Sequence, residues 1–258
     1  MRHITVFGAL APLMLVGLAS LTSAQTTAPY DHMHLAAPDP VKAVDWYRRN
    51  FGGEPMAENT DRLMFGKTRF IFMKSESAQP SAGSAIDHVG FSVTDLDAKM
   101  KELATAGVKV VTPARDVPGL FKIAFIEDPW GVKIEVVQDP ETLGFHHIHL
   151  RGPDTNAILA WYQEKFGGDR SKLKGRLDAV KYGDVWVLAQ QGEATPSAGH
   201  AIDHLGWRVN DLDSKLAELK SKGVRVTGEP RELKLATGVV HFGFVEGPSA
   251  TRIEVVQR

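Results

Sequence analysis

Histidines and isolated glutamates recur in this sequence at positions where they could bind a metal ion. Four predicted strands each carry a histidine near the start, at His32, His88, His147 and His204. Side chains two residues apart on a strand share a face, which adds His34 and His149. Two later strands each carry one glutamate among apolar neighbours, Glu135 and Glu254, and burying such a group is costly unless it is paired. Two imidazoles and one carboxylate form a facial triad with coordination positions left open for substrate.

Each of these residues also has an ordinary interpretation. A histidine near a strand start is often a half-exposed side chain, and a glutamate on an edge strand is often solvated. The same set occurs at matched places in both halves of the chain, which favours a ligand role, although a duplication would copy a structural histidine too. Because the chain has no cysteine, a metal site must use histidine, aspartate, glutamate or water.

The elements that must position these residues come from a duplication. Trp46-Tyr47 returns as Trp161-Tyr162, Pro80-Ser81-Ala82-Gly83 returns as Pro196-Ser197-Ala198-Gly199, and Ile134-Glu135-Val136-Val137 returns as Ile253-Glu254-Val255-Val256. Each half divides again into two units, each with a histidine-bearing strand, an amphipathic helix and three further strands. The sequence therefore predicts four βαβββ modules, at about 30–77, 86–140, 145–192 and 202–258.

The N-terminus differs from the rest of the chain. A positive start is followed by an almost wholly apolar stretch and then by small residues, a pattern typical of a secretory signal peptide over residues 1–24. Cleavage near Ala24-Gln25 predicts a periplasmic or secreted protein, and an uncleaved membrane anchor is the alternative.

Composition restricts the partners. The formal net charge is −1, with 43% hydrophobic and 24% charged residues, an ordinary globular profile. A nucleic-acid partner normally requires a basic footprint, so none is expected, and no membrane partner is expected after signal cleavage. We expect a small-molecule substrate with adjacent oxygens and a chain that is a monomer or a homodimer.

The βαβββ modules and their motifs resemble the vicinal-oxygen-chelate superfamily, which includes glyoxalase I, extradiol dioxygenases, fosfomycin-resistance enzymes and bleomycin-resistance proteins. The resemblance extends from about Tyr30 to Arg258, and its most specific pieces are the first-strand histidines, Trp-Tyr before Phe-Gly-Gly, and Glu127-Asp128-Pro129-Trp130-Gly131 leading to Ile134-Glu135. It implies an α+β fold in which modules pair into two domains with open, curved mixed sheets. The expected domains are 25–140 and 141–258.

The resemblance also implies the ligand sets. One divalent metal is expected on His32, His88 and Glu135, and a second on His147, His204 and Glu254, with iron, manganese, nickel and zinc all open. Family members also swap modules, so His32 could instead share a metal with Glu254. His34 and His149 are predicted as catalytic proton carriers near the metal, with a cavity-wall role as the alternative.

Three departures from the family matter. The fourth ligand of the glyoxalases would lie on 68–73 or 184–188, and neither segment offers a suitable carboxylate. Phe125 and Phe244 stand where extradiol dioxygenases carry a tyrosine. The turn 246–250 lacks the family's Asp-Pro-x-Gly form.

The functional hypotheses follow in order. The first is an exported, metal-dependent lyase or isomerase of glyoxalase type, in which the metal acts as a Lewis acid on vicinal oxygens. The second is an Fe(II)-dependent ring-cleaving dioxygenase, favoured by the facial triad and opposed by the missing tyrosine. The third is a non-catalytic small-molecule binder resembling bleomycin-resistance proteins.

Overall fold

The computed structural model describes residues 1, 3, 26–57, 59–235 and 238–258. The predicted signal peptide, residues 1–24, lies outside the described residues apart from Met1 and His3. Within the described ranges, no helix is both long and apolar enough to cross a membrane.

Four βαβββ modules follow one another, as the repeat predicts. The first contains β1 (Tyr30–Ala37), α1 (Pro40–Phe51), β2 (Glu54–Met56), β3 (Asn59–Phe65) and β4 (Thr68–Lys74). The second contains β5 (Ile86–Ser92), α2 (Leu96–Thr105), β6 (Lys109–Asp116), β7 (Lys122–Glu127) and β8 (Lys133–Val137). The third contains β9 (Gly144–Gly152), α3 (Thr155–Phe166), β10 (Asp169–Leu173), β11 (Leu177–Tyr182) and β12 (Val185–Gln191). The fourth contains β13 (Ile202–Arg208), α4 (Leu212–Ser221), β14 (Val226–Leu235), β15 (Gly238–Glu246) and β16 (Arg252–Gln257).

The same device begins all four helices. An aspartate in extended conformation precedes each one, and its side chain accepts a hydrogen bond from a backbone N–H in the first turn, at Asp39, Asp95, Asp154 and Asp211. This satisfies one of the N–H groups that have no partner within the helix. Gly52 and Gly167 end α1 and α3 at positive φ, a conformation that glycine adopts without steric cost.

The modules pair across the duplication. One mixed sheet, sheet 1, has the order β14-β15-β16-β13-β1-β4-β3-β2, and the other, sheet 2, has the order β10-β11-β12-β9-β5-β8-β7-β6. Sheet 1 therefore joins the first and fourth modules, and sheet 2 joins the second and third. This differs from the pairing within each half that gave domains 25–140 and 141–258, and it corresponds to the swapped alternative.

Two connecting segments run between the sheets at the crossing. Segments 75–85 and 192–201 run beside each other and exchange backbone hydrogen bonds, including Gln79 N to Gly199 O at 3.0 Å and Ala85 N to Thr195 O at 2.8 Å. Both segments contain the repeated Pro-Ser-Ala-Gly. The shorter segment 138–143 turns β8 into β9, which lies antiparallel to β5 at the centre of sheet 2.

One hydrophobic core contains residues of all four modules. Met33 and Leu35 point into it from β1 and are almost fully buried, whereas His32 and His34 alternate with them and face the other side of sheet 1. Trp207 stacks on Phe166 with ring centroids 4.8 Å apart, and Phe91 stacks on Phe51 at 4.4 Å. The core thus fixes the strands whose opposite faces carry the histidines.

Candidate metal centres

The structure gathers the predicted ligands into two clusters whose donor atoms all lie within 4.8 Å of one another. Site 1 consists of His32, His34, His204 and Glu254, and site 2 consists of His88, Glu135, His147 and His149. The two sets implied by the resemblance are therefore corrected: His32 meets Glu254 and not Glu135, and His147 meets Glu135 and not Glu254. The reason is the crossed pairing of modules, which places β1 beside β13 and β9 beside β5.

Site 1 converges on one carboxylate oxygen. Nε2 of His32 lies 3.4 Å from Oε2 of Glu254, and Nε2 of His204 lies 3.1 Å from the same atom. The ring of His34 stacks on His204 with centroids 4.2 Å apart. A carboxylate and three imidazoles thus surround a single point on sheet 1.

Site 2 repeats this geometry. Nε2 of His88 and Nε2 of His147 lie 3.2 and 3.1 Å from Oε2 of Glu135. The ring of His149 lies beside that of His88, with centroids 4.5 Å apart. His34 and His149, predicted as catalytic, therefore lie inside the clusters and are available either as ligands or as proton carriers.

Strand register and two glycines let the clusters form. His32 on β1 is opposite Gly206 on β13, and Gly206 is in turn beside Glu254 on β16. A Cβ atom at Gly206 would lie 2.1 Å from Cε1 of His32, so only glycine leaves room for the imidazole to reach across β13. Gly90 occupies the same place beside His147, again at 2.1 Å. Sequence reasoning missed both glycines, although each lies two residues after the ligand histidine of its own strand, Gly90 after His88 and Gly206 after His204.

A carboxylate holds three of the ligand histidines from behind. Nδ1 of His32, His88 and His204 lies 2.9, 2.7 and 2.6 Å from Oδ1 of Asp31, Asp87 and Asp203. Metal-binding histidines commonly donate their second N–H to such a carboxylate, which fixes the tautomer and turns the other nitrogen toward the metal. The Asp-His pairs are visible in the repeated sequence, but the sequence alone gave them no role.

The Pro-Ser-Ala-Gly repeat holds two of these aspartates. Ser81 Oγ donates to the backbone oxygen of Asp87 at 2.9 Å, and Gly83 N donates to Oδ2 of Asp87 at 2.8 Å. Ser197 and Gly199 do the same for Asp203. The crossing segments therefore order the sites as well as exchanging the modules.

Cations balance the buried aspartates. Arg69 and Arg258 lie 2.8 and 3.0 Å from Asp31. Lys133 contacts Asp87 at 2.8 Å, and Arg252 contacts Asp203 at 2.9 Å. These pairs reduce the cost of burying a charged carboxylate behind each histidine.

The charge states of the cluster residues suit cation binding. Burial opposes ionisation of Glu135 and Glu254, but hydrogen bonds from the neighbouring histidines outweigh it and lower the pKa of both carboxyls. Burial, reinforced by the adjacent histidines, holds the pKa of His34 and His149 well below its usual value. Burial opposes protonation of His32 and His88, but hydrogen bonds to the neighbouring carboxylates outweigh burial and raise the pKa of both, so a cation bound there would displace a proton. Each cluster therefore combines a charged carboxylate with one neutral imidazole, His34 or His149, that keeps a free lone pair.

The donor set also fits a metal by what it leaves unbonded. Nδ1 of His34 and Nδ1 of His149 are buried without a hydrogen-bond partner among the described residues. Imidazole and carboxylate donors bind zinc at about 2.0–2.2 Å, so donors within 4.8 Å need only small shifts to share one ion. Nitrogen and oxygen donors of this kind suit zinc, iron, nickel and manganese alike.

The family departures have structural counterparts. Within the described residues of β4, the side chains that share the site face are Arg69, Ile71 and Met73, so no carboxylate from this strand joins site 1. Phe125 and Phe244 pack edge-on against His88 and His204, with centroids 5.4 and 5.2 Å apart. These apolar rings offer no hydroxyl to the clusters, unlike the tyrosine that the resemblance to extradiol dioxygenases implies at this place.

Comparison with known proteins agrees with this architecture. The family model described as "Glyoxalase/Bleomycin resistance protein/Dioxygenase superfamily" matches residues 30–136 and 144–255. The chain is 27% identical over 123 residues to a "Probable lactoylglutathione lyase" of Vibrio cholerae, which covers 43% of this chain and 88% of that protein. It is 27% identical over 145 residues to the "Lactoylglutathione lyase" of Pseudomonas aeruginosa, covering 42% of this chain and 81% of that protein. The crystal structure of glyoxalase I from Zea mays superposes with a TM-score of 0.70 over 90% of this chain and 92% of that one, and at 17% identity this likeness concerns the fold.

Proposed function

The chain belongs to the glyoxalase/bleomycin resistance protein/dioxygenase superfamily, and from that premise we propose that it is an exported, divalent-metal-dependent enzyme of glyoxalase-like lyase or isomerase type. The observation that carries the proposal is the convergence of two histidines on one glutamate oxygen in each of two sites, with a third histidine alongside. Its substrate is a small molecule with adjacent oxygens.

The protein's own residues divide into holding and reacting groups. His32, His204 and Glu254 hold the metal in site 1, and site 2 uses the equivalent set of His147, His88 and Glu135. A bound divalent ion supplies Lewis acidity to the vicinal oxygens of the substrate. The aspartates behind His32, His88 and His204 keep the Nε2 atoms of these three histidines directed at the centre of each site.

We assign proton transfer to His34 in site 1 and to His149 in site 2. His34 stacks on His204, and the ring of His149 lies tilted beside His88. Each of the two rings keeps one nitrogen without a hydrogen-bond partner among the described residues. Because burial lowers their pKa, both imidazoles are neutral near pH 7 and can accept a proton from a substrate carbon. Lyases and isomerases of this type must move a proton from the substrate carbon beside a carbonyl group.

Two lines of support bear on the reaction type. The relatives from Vibrio cholerae and Pseudomonas aeruginosa are named as lactoylglutathione lyases. The edge-on phenylalanines, Phe125 and Phe244, provide no hydroxyl beside the ligand histidines, which disfavours ring cleavage by an extradiol-type dioxygenase.

Export is proposed on the sequence of residues 1–24 alone, and N-terminal sequencing of the mature protein tests it, with Gln25 expected as the first residue.

The test combines metal content with activity. Purified protein reconstituted with Zn²⁺, Ni²⁺, Mn²⁺ or Fe²⁺ should hold about two equivalents by mass spectrometry, and His204→Ala and His88→Ala should each hold about one. His34→Ala and His149→Ala should each keep the metal and lose only the activity of their own site. The double variant should keep the metal and lose conversion of lactoylglutathione-type substrates by about 10²–10⁴-fold, the usual contribution of a general base. Absence of metal from the reconstituted wild type would overturn the proposal in favour of a cavity-binding protein. Loss of one equivalent from His34→Ala would make this residue a fourth ligand.

A further inference from the structure

The two sites differ in the group behind one ligand histidine. In site 1, Oδ1 of Asp31 lies 2.9 Å from Nδ1 of His32. In site 2, the residue before the equivalent His147 is a histidine, and Nδ1 of His146 lies 2.8 Å from Nδ1 of His147. An imidazole ring therefore stands where the other site has a carboxylate.

The contact continues to a second buried acid. Nε2 of His146 lies 3.3 Å from Oδ2 of Asp139, and both residues are almost fully buried, at 0% and 1% exposure. Asp139 is held in turn by Lys174, whose Nζ lies 2.8 Å from Oδ1. Site 2 thus has a chain of contacts from His147 through His146 to Asp139.

Alignment of the two repeats shows that the acidic residue behind the histidine occupies a different sequence position in each site. Glu135-Val136-Val137-Gln138-Asp139 aligns with Glu254-Val255-Val256-Gln257-Arg258, so Arg258 in site 1 corresponds to Asp139 in site 2. Arg258 contacts Asp31 at 3.0 Å, just as Asp139 contacts His146. In site 1 the acid touches the ligand histidine directly, and in site 2 it lies one ring further away.

Only one arrangement of hydrogens serves a metal through this chain. To bind through Nε2, His147 must carry its hydrogen on Nδ1 and donate it to Nδ1 of His146. His146 must then carry its own hydrogen on Nε2, where Asp139 accepts it. The position of Asp139 selects this tautomer of His146.

We propose that His146 is a positioning residue that transmits the charge of Asp139 to His147, and that site 2 consequently binds divalent metal less tightly than site 1. A carboxylate in direct contact increases the basicity of a ligand imidazole more than a neutral ring does, because the negative charge is closer. This inference rests on the proposed function, in which both sites bind metal.

The test isolates each site in the full-length protein. His204→Ala leaves site 2 and His88→Ala leaves site 1, and each apoprotein is titrated with Zn²⁺ in competition with a chelator. The dissociation constant of site 2 should exceed that of site 1 by about 10-fold or more. Equal constants, or tighter binding at site 2, would overturn the inference.

We call the chain of contacts from His147 through His146 to Asp139 the relay. Substitutions in the relay, each made in the His204→Ala background, give the sharper readout. His146→Ala should weaken Zn²⁺ binding by about 10–100-fold, and Asp139→Ala by a smaller factor in the same direction. His146→Asn keeps an acceptor for the Nδ1–H of His147 and should restore most of the affinity. Asp31→Ala in the His88→Ala background is the matched control, with a loss at least as large.

Two outcomes separate the levels of the proposal. If neither single-site protein binds Zn²⁺, the proposed metal function fails and this inference fails with it. If both bind and the three relay variants match their parent, the inference alone fails. Nitrogen-15 NMR of the zinc-loaded protein should show His146 with hydrogen on Nε2, and the opposite tautomer would also overturn the relay.

Discussion

Gly90 and Gly206 show how a single missing side chain permits a site. Each lies on a central strand between a ligand histidine and a ligand glutamate, in a row formed by strand register. The imidazole lies over the glycine and reaches the carboxylate beyond it. Neither glycine needs an unusual backbone angle, so its role is the space that it leaves.

Gly206→Ala should therefore displace the His32 ring and abolish metal binding at site 1, with about one equivalent retained at site 2. Gly90→Ala should do the reverse at site 2, so each variant is the control for the other. Metal analysis after reconstitution measures both. Full occupancy of both sites in either variant would show that the imidazole does not depend on this gap.

At the level of elements, the turn between β7 and β8 is held by a buried carboxyl. Asp128 accepts hydrogen bonds from Trp130 N and Val132 N and from the hydroxyl of Tyr47. Burial raises its pKa to about 6, and these hydrogen bonds only partly offset that. In the fourth module Gly247 takes this place, and Ser249 and Ala250 adopt positive φ, yet Glu254 still reaches its site.

The raised pKa of Asp128 predicts a defined dependence on pH. Because the folded value lies above the unfolded value of 3.8, its contribution to stability is present below about pH 4 and is lost as the pH rises through about 6. Asp128→Asn keeps an acceptor for both amides and removes the titration. From pH 4 to 7 the wild type should lose up to about 2–3 kcal/mol relative to this variant, measured by urea unfolding. Parallel stability curves would contradict the raised pKa.

Local structure was predictable from sequence at this level, and strand pairing was not. Helix starts follow from capping aspartates and strands from alternating apolar residues, so the modules were predicted. The six predicted ligand residues all lie in the two clusters. Whether β1 lies beside β5 or β13 depends on contacts between residues far apart in the chain. The hydrogen bonds between segments 75–85 and 192–201 accompany the pairing of β1 with β13, and the repeated sequence of these segments does not distinguish the two pairings.

For the whole molecule, each site lies between strands of two modules, which are distant in sequence for site 1 and consecutive for site 2. Site 1 ties the first strand of the chain to the last, and site 2 ties the second module to the third. A metal bound only by the folded state stabilises it, by about 2.7 kcal/mol per site when the free metal is 100 times the dissociation constant.

Chelation should therefore lower the thermal midpoint of the reconstituted protein, by roughly 5–10 °C for each site emptied. Differential scanning calorimetry with and without a chelator measures the shift. His204→Ala, with one site left, should show about half of it. A midpoint that is unchanged by chelation in the wild type would mean that the metal does not connect the modules.

The crossed pairing is tested most directly by the metal content of two double variants, measured by mass spectrometry after reconstitution with Zn²⁺ and a circular dichroism check of folding. His32→Ala with Glu254→Ala should retain about one equivalent, because both changes fall in site 1. His32→Ala with Glu135→Ala should retain none, because one change falls in each site. The opposite result, with one equivalent kept when His32 and Glu135 are both replaced and none when His32 and Glu254 are, would contradict the crossed sites.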